Sequence, residues 1–260
     1  MIYSCNLEYD RSLSPEEAAA NLKEAGFSHV FITWGFHGEG IRGAAAAHKA
    51  GLKIETIHAS YPDVNEIWLE GSVGEARTRY FLDCVRGTAM LGVKTMILHV
   101  SAGHQPPEPN ALGVSRFQRI CDEAARLGVD IAFENLTNIT YLHYVMERVV
   151  SPAKKYCYDC GHENLYSYKN DCVPERYSDL LVAVHLHDNV GDRDTHLLPF
   201  AGTVDYDRVI TRLARFGAGI PVTLELKAAS GGLPYAREAY AAAVRIGELI
   251  TQKRVELGLV

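Results

Sequence analysis

The stretch Val182-Ala-Val-His-Leu-His-Asp-Asn-Val-Gly-Asp-Arg-Asp-Thr-His196 decides how the chain is read. Its first half is apolar and β-branched, the pattern of a buried strand. The strand closes on His185, His187 and Asp188, and a short Gly/Asp loop leads to Asp194-Thr-His196. Imidazoles and carboxylates at the end of a buried strand are costly unless paired, hydrogen-bonded or bound to a metal. The plain alternative is a run of solvated loop residues. Recurrence of the same event at other strands weighs against it.

On both sides of this stretch, short apolar runs alternate with helical patterns. Strands are expected at Ile2–Leu7, His29–Thr33, Leu52–Ile57, Val93–Leu98, Val129–Phe133, Lys155–Tyr158, Val182–Leu186 and Pro221–Leu224. The first helix opens at Ser14-Pro15-Glu16-Glu17, with Ser14 as N-cap, and stops at Gly26. Others are expected at Ile41–Ala50, Glu75–Leu91, Leu112–Leu127, Tyr141–Val150, Asp205–Phe216 and Tyr235–Gln252. No linker interrupts the repeat, so residues 1–260 are expected to form a single domain, a closed (β/α)8 barrel. A doubly wound open sheet is the runner-up. It is weakened because no Gly-rich turn follows the first strand, where the chain reads Asn6-Leu-Glu-Tyr-Asp-Arg11.

The 260 residues are 47% apolar and 22% charged, which is ordinary globular composition with length for a large core. A formal net charge of -6 disfavours nucleic acid as a non-specific partner. Met1-Ile-Tyr-Ser-Cys-Asn-Leu-Glu8 lacks a basic and then apolar leader, and no run of about 18 apolar residues exists. Neither a signal peptide nor a membrane span is expected. Scattered cysteines at 5, 84, 121, 157, 160 and 172 suit a reduced, cytoplasmic setting. Cys157-x-x-Cys160 has no second pair and reads as incidental rather than as a zinc or redox motif.

In a barrel of this kind, active groups sit at the carboxyl ends of strands. Strands three to eight end on His58, His99, Glu134, Asp159, His185 and Glu225, so these side chains are expected to converge. His162 follows one turn after Asp159, and Asp194 and His196 can fold back from the seventh loop. Hard carboxylate oxygens mixed with imidazole nitrogens suit a divalent cation such as Mn, Zn, Co or Mg. Each residue also has a plainer role. His58 and His99 either ligate or bond a neighbouring loop, and Asp159 either ligates or caps the next turn. His187 is expected on the other side from His185, as a supporting or substrate-contacting residue. Arg193 either holds a substrate oxygen or phosphate or pairs with Asp192 or Asp194. Trp34 and Phe36, at the second strand end, either cover a ligand's apolar face or pack in the core. His29, His37, His48 and His143 read as surface or structural residues, and His104 stays open between loop and mouth.

These motifs resemble the xylose-isomerase-like barrel superfamily, which holds sugar isomerases and epimerases, inosose-processing enzymes and endonuclease IV. The resemblance covers essentially the whole chain. It implies one divalent metal on Glu134 in Phe-Glu-Asn, Asp159 in Tyr-Asp-Cys-Gly-His, His185 in Val-His-Leu-His-Asp and Glu225 in Leu-Glu-Leu. His162 resembles the family's substrate-binding histidine. Endonuclease IV uses further ligands for three zinc ions, and His58, His99, His162, Asp194 and His196 resemble them. Against the nuclease stand the first loop, the absence of His-Pro-Gly after His99, and the acidic charge balance.

The isomerase resemblance implies a sugar or sugar-phosphate substrate and proton transfer through a metal-stabilised enediolate, with Glu134 and Glu225 as base and acid. His162, Arg193, His187 and Trp34 are then the expected substrate contacts. The alternative is a multi-zinc phosphodiesterase acting on abasic-site DNA. A third class is a barrel that binds without catalysis. A homo-oligomer is compatible with any of these.

Overall fold

The computed structural model describes residues 1–166 and 173–260. Cys172 lies outside the described residues. The strands are β1 Tyr3–Asn6, β2 His29–Trp34, β3 Lys53–Ala59, β4 Thr95–Leu98, β5 Asp130–Glu134, β6 Lys154–Asp159, β7 Leu181–His185 and β8 Val222–Leu224. All pair in parallel in the order β7-β6-β5-β4-β3-β2-β1-β8. The sheet closes between β7 and β8, where Leu186 N donates to Thr223 O (2.9 Å) and Glu225 N to Leu186 O (3.2 Å). The result is a (β/α)8 barrel.

Around it run α1 Pro15–Ala25, α2 Glu39–Lys49, α3 Gly71–Met90, α4 Ala111–Leu127, α5 Ile139–Arg148, α6 Cys160–Leu165, α7 Val173–Arg176, α8 Tyr206–Phe216 and α9 Gly232–Glu256. The first helix begins as its sequence dictates. The Ser14 side chain accepts from Glu17 N while the Glu17 carboxylate accepts from Ser14 N, a closed capping box. Elements differ from expectation where capping signals are weak. Helix α3 starts at Gly71 with no side-chain cap. Strand β8 begins at Val222 rather than Pro221, because proline brings no N–H to the ladder. Helix α6 is capped by Asp159, whose Oδ1 accepts from His162 N at 2.6 Å.

What positions the site is the two-residue alternation of the strands. Ile97, Ala132, Cys157 and Ala183 form one buried cluster inside the barrel. Two residues further along the same strands stand His99, Glu134, Asp159 and His185. The apolar layer is therefore the floor beneath a polar ring. Outside the strands, Trp68, Phe81, Phe117 and Phe133 fill the much larger core between barrel and helices. Cys5, Cys84, Cys121, Cys157 and Cys160 are buried free thiols, and burial pushes Cys121 up to about 12. Cys160 Sγ donates to His187 O and is not paired with Cys157. Among the described residues no helix is long and apolar enough to cross a membrane.

Candidate functional site

The strand-end residues meet. Glu134, Asp159, His185 and Glu225 each offer one donor atom, all within 4.8 Å of one another. His185 Nδ1 lies 3.2 Å from Glu134 Oε1 and 3.3 Å from Glu225 Oε2. His99 Nε2 is 3.0 Å from Glu134 Oε2, and His58 Nε2 is 3.4 Å from the same oxygen. Phe31 on β2 stacks on the His185 ring at 5.0 Å and fixes its plane. A second group joins His162, His187, Asp194 and His196, again within 4.8 Å. Above them opens a cavity of about 110 Å³, lined by residues that include Tyr61, His99, His162, Tyr166, Glu225 and Lys227.

Three of the histidines are aimed by the main chain. His58 Nδ1 lies 2.9 Å from Ala59 O, His162 Nδ1 3.0 Å from Asn135 O and His196 Nδ1 2.9 Å from Glu225 O. A carbonyl only accepts, so each Nδ1 carries its hydrogen and donates. Each Nε2 is thereby turned toward a carboxylate. His58 Nε2 faces Glu134 at 3.4 Å, His162 Nε2 faces Asp194 at 3.7 Å, and His196 Nε2 faces Asp194 at 2.8 Å. Lone pair against carboxylate oxygen is repulsive unless a proton or a cation lies between, and metal-ligating histidines are held in this manner. Asp194 Oδ1 and His187 Nδ1 are also buried without a hydrogen-bond partner. In the first group the four donor atoms lie within 4.8 Å of one another and His185 Nε2 is buried without a hydrogen-bond partner, so Glu134, Asp159, His185 and Glu225 could hold a divalent ion.

The electrostatics point the same way. Burial pushes Glu134 up, yet His185 and His99 outweigh it and hold its carboxyl well below the usual carboxylate range. Glu225 is likewise held down to about 2, with burial opposed by His185 and His196. Burial lowers His185, but Glu134 and Glu225 overcome it and raise the imidazole to about 9. Burial also opposes charge on His162, where Asp159, Asp194 and Glu134 prevail. Burial wins at His99 and His196, whose pKa values fall. A field that charges buried imidazoles is one that attracts a cation.

The family model for the xylose isomerase-like TIM barrel matches residues 19–246. The chain belongs to this family. Among related sequences, uncharacterized protein y4fM of Sinorhizobium fredii (strain NBRC 101917 / NGR234) is 28% identical over 277 residues, covering 90% of this chain and 88% of that one. Two solved structures share the fold. A D-tagatose 3-epimerase-like protein superposes with TM-score 0.77 at 18% identity, over 99% of this chain and all (100%) of the other. An L-ribulose 3-epimerase superposes with TM-score 0.78 at 17% identity, over 99% and 97% of the two chains.

Within this xylose isomerase-like barrel, three expected substrate contacts are placed differently. Trp34 turns outward between α2 and α3, where its ring fills the space that a Cβ on Gly40 or Gly87 would occupy. It packs the helical layer and does not face the mouth, because its side chain alternates away from the inward Phe31 face. Phe36 stacks on Tyr80 at 4.2 Å, and its side is exposed. The Arg193 side chain is 83% exposed and pairs with Asp192 at 3.8 Å, so it does not line the mouth. His187 does not point to the other side. Two residues after His185, it keeps that residue's inward face, and His187 Nε2 reaches Asp159 Oδ2 at 3.2 Å. Its ring stacks on His196 at 4.0 Å and lies over Gly161, where any Cβ would collide with it.

Asp188 is structural, its Oδ1 accepting from Asn189 N and Val204 N. Asp159 both caps α6 and joins the donor group. His143 bonds Tyr177, His29 bonds Ser28, His37 and His48 are exposed, and His104 edges Tyr166 at the rim. The sequence reading passed over Tyr61, which stacks on His99 at 4.5 Å, together with Glu8 and Lys227. Glu8 Oε1 accepts from Thr33 N just past the end of β1, at an exposed position. Glu8 and Lys227 continue the inward alternation past the strand ends, two residues after Asn6 and Glu225. That spacing was the signal available.

Proposed function

We propose that this protein is a divalent-metal-dependent isomerase or epimerase of sugars or sugar phosphates that works by proton transfer. The reading is carried by Glu134 and Glu225, which flank His185 at 3.2 and 3.3 Å with Asp159 as fourth donor. The likeness in fold to proteins named as sugar 3-epimerases supports it. Bound Mn, Co, Mg or Zn would polarise a substrate carbonyl and its neighbouring hydroxyl as a Lewis acid. Glu134 and Glu225, on either side of His185, divide the proton work: one takes the proton from the carbon next to the carbonyl, and the other returns one. His162, which lines the cavity, orients the substrate oxygens, and His187 holds Asp159 in place. The buried apolar floor keeps bulk water from below, which strengthens every charge interaction in the ring.

The test is a ketose and ketose-phosphate panel run in D₂O with each of the four metals. Deuterium incorporation at the carbon next to the carbonyl is expected with at least one pair. No incorporation under any combination, with metal bound, would end the proposal.

A second reading is favoured by one specific observation. His58, His99 and Glu134 form their own group within 4.8 Å, beside the His162/His187/Asp194/His196 group. Several donor groups side by side suit a multi-zinc phosphodiesterase. Two or three ions per chain with activity on abasic-site DNA would establish that reading in place of the first.

A further inference from the structure

The second donor group already contains a cation. Lys227 lies two residues beyond Glu225, and its side chain, 28% exposed, reaches across the mouth toward Asp194 and His196. Its Nζ lies 2.5 Å from His196 Nε2 and 3.7 Å from Asp194 Oδ2. Among the described residues it is the one lysine or arginine lining that cavity.

The hydrogen bonding leaves little choice about what this ammonium does. His196 Nδ1–H is committed to the Glu225 carbonyl, so the neutral ring has its lone pair on Nε2. That nitrogen stands 2.8 Å from a carboxylate oxygen of Asp194. Two acceptors at that distance need a positive group beside them. An ammonium brings three donors and no acceptor. Lys227 can therefore donate to His196 Nε2 and lie against Asp194 at once, and it takes up the lone pair through which a metal would bind. The same groups cannot serve both.

We infer that Lys227 is an internal counter-ion that closes the His162/His187/Asp194/His196 group to a metal. The chain then holds one divalent ion fewer than its imidazoles and carboxylates would otherwise accept. This rests on the proposal above for the first donor group, which Lys227 does not touch. It also separates the two functional readings in chemical terms: an ion confined to Glu134, Asp159, His185 and Glu225 serves an isomerase, whereas a phosphodiesterase needs the neighbouring positions filled.

The experiment is a metal count. Wild type, Lys227→Met, Lys227→Gln and Lys227→Arg are stripped with chelator, equilibrated with excess Zn²⁺ at fixed pH, desalted and measured by elemental analysis. Circular dichroism on the same samples confirms folding. Lys227→Met and Lys227→Gln are expected to take up one ion more per chain than wild type, and Lys227→Arg the wild-type number. Equal counts in wild type and in the folded neutral variants overturn the inference. If wild type binds no ion and the neutral variants gain one, the counter-ion role stands and the proposal for the first group falls. If none of the four binds an ion, both fall. Two ions in wild type and three in the neutral variants would uphold the role of Lys227 and remove the one-ion isomerase.

Discussion

Replacing Glu134 with glutamine tests the proposed chemistry most directly. The side chain is wholly buried, so an isosteric change leaves packing alone and removes one unit of negative charge. That charge is present in the native protein, because His185 and His99 keep the carboxyl ionised despite its burial. Four imidazole nitrogens surround the two oxygens: His99 at 3.0 Å and His58 at 3.4 Å on Oε2, and His185 at 3.2 Å and His162 at 3.4 Å on Oε1. Glutamine retains an acceptor on one side only and places an NH₂ on the other. It can neither take a proton nor serve as an anionic metal donor. Losing a positioned acid–base group lowers turnover by about 10²–10⁴-fold. That factor corresponds to about 2.7–5.5 kcal/mol of barrier. The assay is ketose turnover at saturating metal, so that weaker ion binding is separated from the proton-transfer defect, with metal content measured on the same preparation. Turnover within about threefold of wild type, at unchanged metal content, would refute the assignment. Glu225→Gln should show a loss of the same order.

Other consequences are open to measurement. Arg212 is buried and holds Glu163 at 2.7 Å and Glu175 at 2.7 Å, while Tyr158 OH donates to Glu163 at 2.6 Å. Arg212→Met strands the Glu163 carboxylate. A loss toward the lower end of about 3–5 kcal/mol is expected in denaturant unfolding, since Arg208 still reaches Glu163. Adding Glu163→Gln should recover part of that loss. Glu123 is held down to about 2, first by its hydrogen bonds with Arg126 and then by Arg86, burial opposing. A carboxylate with a depressed pKa adds stability above its unfolded value and loses it on acidification. The stability gap between wild type and Glu123→Gln should thus be full above about pH 5 and close as the pH falls toward 2. Trp34→Ala should cost about 3 kcal/mol of stability and leave the KM for substrate unchanged, because the ring packs on Gly40 and Gly87. Arg193→Ala, at a solvent-facing position, should leave kcat/KM unchanged; a tenfold loss would put the arginine back at the mouth.

The barrel was legible because βα units repeat without a linker and strands three to eight each close on a polar residue after an apolar run. The ring of Glu134, Asp159, His185 and Glu225 was legible for the same reason: strand alternation fixes which residue at a strand end faces inward. What escaped lies just past the strands, where regular alternation gives way to loop geometry. His187 illustrates this. It stands two residues after His185 and so keeps that residue's face, and turning it outward misjudged the period; what only the fold shows is that its ring lies over Gly161 and against His196. Trp34 and Arg193 are amphipathic residues at a promising address, and only packing decides their direction. Tyr61, Glu8 and Lys227 carry no motif of their own. Their significance arises from neighbours more than twenty residues away, such as His99 beside Tyr61 and His196 beside Lys227.

The anchoring of ring nitrogens to main-chain carbonyls has a mechanical consequence. His162 hangs on Asn135, past the end of β5, and His196 hangs on Glu225, past the end of β8, so each ring is bolted to a strand other than the one that precedes it. Their spacing is therefore a calliper setting dictated by the girth of the cylinder. Neither ring can shift toward the other without stretching its tether. The gap in which Asp194 and Lys227 meet these rings is a property of the scaffold's circumference, and residues that alter that circumference, however remote, change it.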